Sequence, residues 1–490
     1  MTAPSFQAVL LAGGEDKSLF PLTSGVVKAL LPVANLPLLS YPLRSLSDAG
    51  LTHVLVVASG ERAAGVISQW LATEYPSSSM QCEVVCVPEE FGTADALRAV
   101  ADRLTSPTFI VLSGDLLTDL PVNALVTSHQ LNSALATVLL VPRKTSPTTE
   151  TKPGRAPKNV DYIGLDASSQ QLLFYTSSPE ALRDLKIPLH VVRKHGSVAL
   201  SSNLVDAHLY VFDRSVLATL VSHPQLSSVR QDMLPYLTQQ QFKQAPAASM
   251  PGLHSQASTD DISLSGPALG LDRSQSDNGT ADVSDAEEYP TLSGPMPGAN
   301  YMEMTHSSRH RGAASSDTRG VCSTPSGSKQ CTELKVHLVE ANYCARVCDL
   351  QAYAEVCREV ADSNVALHLS GLKASQPHDN VVPTSTTLGH KTTIAAACVL
   401  GEGCVLGDKS SIKRSVLGHG CRLGVGAKVL NSVLQDGVTV GDGCHIQNSI
   451  LCSGAVILER ASVKDCQVGP GHTVAGNLEY KGEVLCKSRT

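Results

Sequence analysis

The chain has 490 residues, 42% of them hydrophobic and only 4% aromatic, and carries a formal net charge of -7. That length accommodates two or three domains, and cores poor in aromatics must be built from Val, Leu, Ile and Ala, which suits parallel sheets buried on both faces. The mildly acidic balance, with no basic run, excludes bulk electrostatic attraction to nucleic acid, and no stretch approaches the about 18 apolar residues of a membrane span. The 14 cysteines form no CxxC pair; they read as reduced thiols filling cores, and no metal centre is expected. The first residues, MTAPSFQAVLL, lack a basic segment ahead of a separate apolar stretch, so no secretory leader is expected and the cytosol is the simplest location.

Residues 1–243 alternate strand-like and helix-like patterns. Phe6–Leu11 is a short apolar strand ending at Ala12-Gly13-Gly14. Leu38–Ala49 has helical spacing, with Gly50 where a C-cap glycine belongs. His53–Ala58, Cys82–Val87 and Phe109–Leu112 read as further strands, with helices over Glu61–Thr73 and Gly92–Arg103 between them. Strands alternating with helices predict a doubly wound α/β domain whose ligands sit beyond the carboxyl ends of the strands. Gly13-Gly14 and Gly114-Asp115 both fall at such ends.

Residues 244–331 are rich in Ser, Gly, Pro, Asp and Thr. Such a composition buries too little surface to offset chain ordering, so a disordered insert is expected. Order resumes with a closing strand and helix in 332–379: Lys335–Val339, then a helix over about 349–361 with Asp349 as its cap.

From Leu388 apolar residues recur in steps of six, six and five. Leu400, Leu417, Leu434, Leu451 and Val468 are 17 apart, and each is followed three positions later by glycine: Gly403, Gly420, Gly437, Gly454, Gly471. Hexapeptide periodicity marks a parallel β-helix of triangular coils, placed over 380–480 with a tail at 481–490.

Several segments resemble the sugar nucleotidyltransferases. Leu11-Ala-Gly-Gly-Glu-Asp-Lys-Ser-Leu-Phe-Pro-Leu-Thr23 and Lys28-Ala-Leu-Leu-Pro-Val33 are similar to that family's LAGG-x-G-[ST]-R-L-x-P-L-T and P-K-x-L-L-P loop. Glu90-Phe-Gly-Thr-Ala-Asp-Ala-Leu97 is similar to its GTAxAL segment near the nucleobase, Ser113-Gly114-Asp115 to its metal-holding GD, and Asp206-Ala-His-Leu-Tyr-Val-Phe212 to its GIYVF strand. The resemblance implies a nucleotide pocket at Gly13, Gly14, Lys28, Gly92, Thr93 and Asp115. A Gly-rich loop lets backbone N–H groups approach phosphates, and cations neutralise the departing charge.

The departures fall on the loop. Asp16 replaces its glycine and sets a carboxylate where polyphosphate would lie; Ser18 replaces its arginine and removes the guanidinium fork, which neighbouring Lys17 cannot reproduce. Val27 replaces a proline and Asp95 a small residue. Loss of one such contact costs about 3 kcal/mol of transition-state stabilisation. The pocket is therefore expected to be vestigial, with no catalytic residue, bound metal or cofactor.

The altered loop, the insert, the β-helix and the segment Asn342–Arg358 together resemble the gamma-subunit family of eukaryotic translation initiation factor 2B. The related epsilon subunits carry an additional C-terminal helical exchange domain, and this chain is expected to lack one, which favours the gamma type. The β-helix is left-handed in that family. The resemblance implies a non-catalytic structural and regulatory subunit of a guanine-nucleotide exchange complex. Its expected partners are the epsilon subunit, the other exchange-factor subunits and initiation factor 2 as the substrate GTPase, with no direct contact to nucleic acid or membrane. The alternative is an active sugar-1-phosphate nucleotidyltransferase of the GDP-mannose pyrophosphorylase kind, or the idle regulatory partner of one.

Overall fold

The computed structural model describes residues 6–13, 17–75, 80–143, 160–166, 169–177, 186–195, 198–243, 261–263, 332–339, 341–362, 365–373 and 380–486. Most of the stretch expected to be a disordered insert, 244–331, lies outside the described residues. The part described, Asp261–Ser263, pairs antiparallel with Lys186–Pro188.

The first domain is built on a seven-stranded sheet. Its strands are β1 (Phe6–Gly13), β2 (His53–Ser59), β3 (Gln81–Val87), β4 (Thr108–Ser113), β6 (Ala136–Pro142), β7 (Leu204–Asp213) and β8 (Leu334–Leu338). The short β5 (Leu116–Thr118) stands apart and pairs antiparallel with β9 (Cys344–Arg346). The sheet order is β8-β6-β7-β4-β1-β2-β3. Side chains alternate across it. Leu10, Val56 and Leu112 meet the helices Ser40–Asp48, Glu61–Thr73 and Val122–Leu131 on one face. Val9, Leu55 and Val111 meet Thr93–Ala99, Ser215–Ser222 and Leu234–Lys243 on the other. Helices on both faces make the domain doubly wound, as expected from the βαβ pattern.

One strand departs from an all-parallel sheet: β7 runs antiparallel to both neighbours, β4 and β6. Its core stretch is apolar on both faces, so hydropathy fixed its burial and said nothing of its direction.

After β9 the chain enters the helix Leu350–Val360. Asp349 Oδ1 accepts from the Ala352 N–H at 2.8 Å and caps it, satisfying one of the orphan donors at the helix start. Tyr353, Val356, Cys357 and Val360 form its buried face.

The second domain is three six-stranded parallel sheets wrapped around one core. Residues in register climb by 17: Leu406, Leu423, Val440, Ile457 and Val474 stack along one sheet. The first coil is one residue longer, pairing Leu388 with Leu406. The five repeated glycines take φ of +59° to +69° at one corner, where a side chain would be strained. The trimmed corner is held by Arg414, Asn431, Asn448 and Asp465, also at positive φ, with Asn431 Nδ2 donating to Asn448 Oδ1 at 2.6 Å. The strands continue to Leu485, so the expected tail from 481 is corrected: its first residues complete the last coil.

One sheet of the β-helix faces the first domain. Its outward residues Val399, Val416, Val433 and Ile450 are buried among Leu31, Val33, Leu38, Tyr353 and Val356. Asn35 Nδ2 donates to the Leu417 carbonyl at 2.9 Å, and Gln435 Nε2 donates to Tyr353 Oη at 3.4 Å. The return helix thus lies between the two domains as part of a shared core.

Candidate functional site

The cavity lies at the carboxyl end of β1 and β4, where a doubly wound sheet places its ligand. It holds about 200 Å³ and is lined by Gly13, Lys28, Thr93, Ser113, Asp115, His208, Arg230 and Arg346 among others.

Asp115 is its centre. It lies two residues beyond the end of β4, is 5% exposed at its side chain, and every hydrogen-bonding direction of its carboxylate is engaged. Ser113 Oγ donates to Oδ1 at 2.6 Å. Lys28 Nζ donates to Oδ2 at 2.8 Å from the 3-10 turn Lys28–Leu30. Arg346 forks onto the same group, Nε to Oδ1 and Nη2 to Oδ2, both at 3.0 Å. The backbone sets that fork in place: Arg346 pairs with Leu116 across β9 and β5, and the Val347 N–H donates to the Asp115 carbonyl at 3.0 Å. Burial would raise the Asp115 pKa, but Arg346 and Lys28 together hold it well below the usual carboxylate range.

The remaining walls are only partly paired: the buried His208 Nε2 and Arg230 Nε have no hydrogen-bond partner among the described residues. Arg230 Nη2 donates to the buried Asp161 Oδ1 at 2.5 Å. His208 sits at positive φ in an irregularity of β7. Burial, reinforced by Arg346, pushes its pKa well down, so the imidazole is neutral. Beneath it, burial raises the pKa of Asp206, which accepts from Tyr210 Oη at 2.7 Å and from the His208 N–H at 2.7 Å.

Of the residues expected to form the pocket, Gly13, Lys28, Thr93 and Asp115 line the cavity. Gly14 and Asp16 lie outside the described residues. Gly92 is not among the lining residues. A Cβ there would sit 2.3 Å from the Ser227 carbonyl oxygen, so its glycine is required by the close approach of that loop. Asp95, read as a substitution near a base, closes the start of its helix: Oδ2 accepts from the Gly92 N–H at 3.1 Å and from Ser227 Oγ at 2.5 Å. Burial opposes its charge, but these bonds and Arg98 hold its pKa below the ordinary value. Ser18, standing where the family has arginine, turns its hydroxyl to the Cys348 carbonyl at 2.8 Å. Both the loop and the pocket floor are therefore tied to the same return segment, 346–348. Arg346, Arg230 and His208 also line the cavity, and no motif marks them as pocket residues.

The fold family implies a divalent cation at the GD aspartate, and the residues present do not fit one. Both Asp115 oxygens already bear cations, and among the described residues no group of three or more His, Cys, Asp or Glu side chains is placed to hold a metal. The arrangement can position an anion beside Lys28, Arg230 and Arg346; among the described residues that line it, the one carboxylate, Asp115, is fully engaged and not free for general base work.

Two family models match the chain: Nucleotidyl transferase over residues 7–150 and EIF2B subunit epsilon LbH domain over 379–479. The first matches the doubly wound domain and the second the β-helix, so the chain joins a nucleotidyl transferase-like domain to a left-handed β-helix of the eIF2B type. Among whole proteins it is similar to the translation initiation factor eIF2B gamma subunits. It is 34% identical to that of Schizosaccharomyces pombe over 49% of this chain and 52% of the relative. It is 24% identical to that of Dictyostelium discoideum over 85% of this chain and 88% of the relative. It is also 32% identical to the mannose-1-phosphate guanylyltransferase of Mycobacterium tuberculosis, over 29% of this chain and 38% of that enzyme. The chain spans about half the length of the S. pombe relative.

Proposed function

We propose that this chain is the gamma-type structural and regulatory subunit of a translation initiation factor 2B complex, acting in the cytosol. It supports an epsilon-type subunit in exchanging GDP for GTP on initiation factor 2 and performs no nucleotidyl transfer itself. The observation that carries this reading is the likeness to a gamma subunit across both domains in one alignment, 85% of the chain. The likeness to the M. tuberculosis guanylyltransferase covers 29% of the chain.

The site supports the same reading. A transferase must neutralise the departing pyrophosphate with cations and metal. Here Ser18 stands in place of the loop arginine and bonds back into the chain, and Asp115 is fully engaged by Lys28, Arg346 and Ser113. An exchange factor works by differential affinity for nucleotide-bound and nucleotide-free states of its GTPase, and a supporting subunit needs shape and stability rather than bond chemistry. The β-helix provides that shape, with exposed outward positions such as Val405 on the sheets turned away from the first domain.

The test is affinity capture of the tagged full chain from lysate, with mass spectrometry of what co-elutes in stoichiometric amounts. Epsilon-type and other exchange-factor subunits are expected. Recovery of the chain alone, or with a mannose-1-phosphate guanylyltransferase, contradicts the proposal.

A further inference from the structure

We propose that the Arg346 guanidinium takes the place of a divalent cation at Asp115, so that the pocket is metal-independent and the ion pair fastens the return segment to the pocket floor. The inference concerns the chain's own residues and holds whichever complex the chain joins.

A carboxylate offers about four lone-pair directions. Arg346 takes two, Lys28 one and Ser113 one, all at 2.6 to 3.0 Å. A hard cation binding at about 2.0 to 2.6 Å must first strip away one or both charged donors. It gains little in return, because it brings two more positive charges beside Lys28 and Arg346, which already outnumber the single charge of Asp115. Magnesium in particular sheds its own water reluctantly. The next acidic side chain inward, Asp206, is held by Tyr210, Tyr175 and the His208 N–H and cannot complete a coordination shell.

Nor is Arg346 a side chain that swings aside. It lies in a strand, registered against Leu116, and the next N–H binds the main-chain carbonyl of Asp115 itself. Asp115 is thus held twice by one segment, at its side chain and at its backbone. That segment continues through Cys348, which accepts from Ser18, to the Asp349 cap and the helix seated against the β-helix. The charge once available for a metal now fixes the path by which the chain passes from pocket to β-helix. Bidentate pairing suits this: the planar fork specifies direction, where a metal would accept ligands from several.

The experiment titrates Mn²⁺ into the purified full chain and follows the free-ion signal by electron paramagnetic resonance, with melting temperatures read in parallel. The wild type is expected to leave the free Mn²⁺ signal unchanged and to melt at the same temperature with or without millimolar metal. Arg346→Ala is expected to melt lower by about 5 °C or more, and Arg346→Lys, which keeps the charge and loses the fork, by less. Mn²⁺ uptake by the wild type that Asp115→Asn abolishes overturns the proposal. Uptake that survives Asp115→Asn belongs elsewhere and leaves Asp115 metal-free, as proposed. If Arg346→Ala does not fold, Arg346→Lys carries the second arm. Melting of whichever variant folds at the wild-type temperature shows that the fork does not hold the segment, and also overturns the proposal.

Discussion

The junction between the two domains and the floor of the pocket are built in opposite ways, although one return segment serves both. The junction is a column of four aliphatic side chains, Val399, Val416, Val433 and Ile450, each buried against the first domain. The pocket floor is a single carboxylate with two cations on it. The first spreads its stabilisation over many small and similar contacts. The second concentrates it in one charged cluster, where removing a partner strands the others. The lesson is that a domain interface can tolerate gradual change, while a charge cluster either keeps all its members or is rebuilt.

The largest expected effect breaks the charged side. Asp115→Ala leaves Arg346 and Lys28 facing each other without a counter-ion and should cost about 4 kcal/mol, read by denaturant unfolding. Its pH dependence sharpens the point. The folded Asp115 pKa is depressed, so its stabilisation is fully present above the unfolded value of about 4 and is lost progressively as pH falls from there through the folded value. Wild type and Asp115→Asn should therefore differ most near neutrality and converge in acid.

The next effect tests the coil stacking on which the aliphatic column depends. A Cβ at Gly418 would lie 2.4 Å from Asp436 Oδ1 and 2.5 Å from its backbone nitrogen, so Gly418→Val should cost about 3 kcal/mol in the same measurement. Smaller again is the column itself. Val433→Gln buries an unpartnered amide and should lose about 2 kcal/mol, whereas Val405→Gln, at a position 41% exposed, should stay within about 0.5 kcal/mol. Equal effects at the two positions would deny that the outward column selects the docking face. The smallest change is Asp349→Ala, which removes the helix cap and should cost about 1 kcal/mol.

Legibility in the sequence followed the same division. The β-helix was readable because its rule is short-range: a glycine three positions after each core residue repeats every 17. The docking face was also written there and was not read. Val399-Leu400, Val416-Leu417, Val433-Leu434 and Ile450-Leu451 are apolar at both positions, the mark of a strand buried on both sides, and the pattern ends at Gln467-Val468. The loop departures at Asp16 and Ser18 were visible by resemblance, but the new partner of Ser18 was not. Arg346 lies 231 positions from Asp115, beyond a long insert, and no periodicity links two residues that meet only after the sheet has formed. The direction of β7 was hidden because a doubly buried strand looks the same read either way.

As proposed, this transferase fold serves assembly and not synthesis. The most direct measurement is pyrophosphate release by the purified full chain, supplied with magnesium, nucleoside triphosphates and sugar 1-phosphates. No release above the enzyme-free blank is expected. Steady turnover that Asp115→Asn abolishes would contradict it.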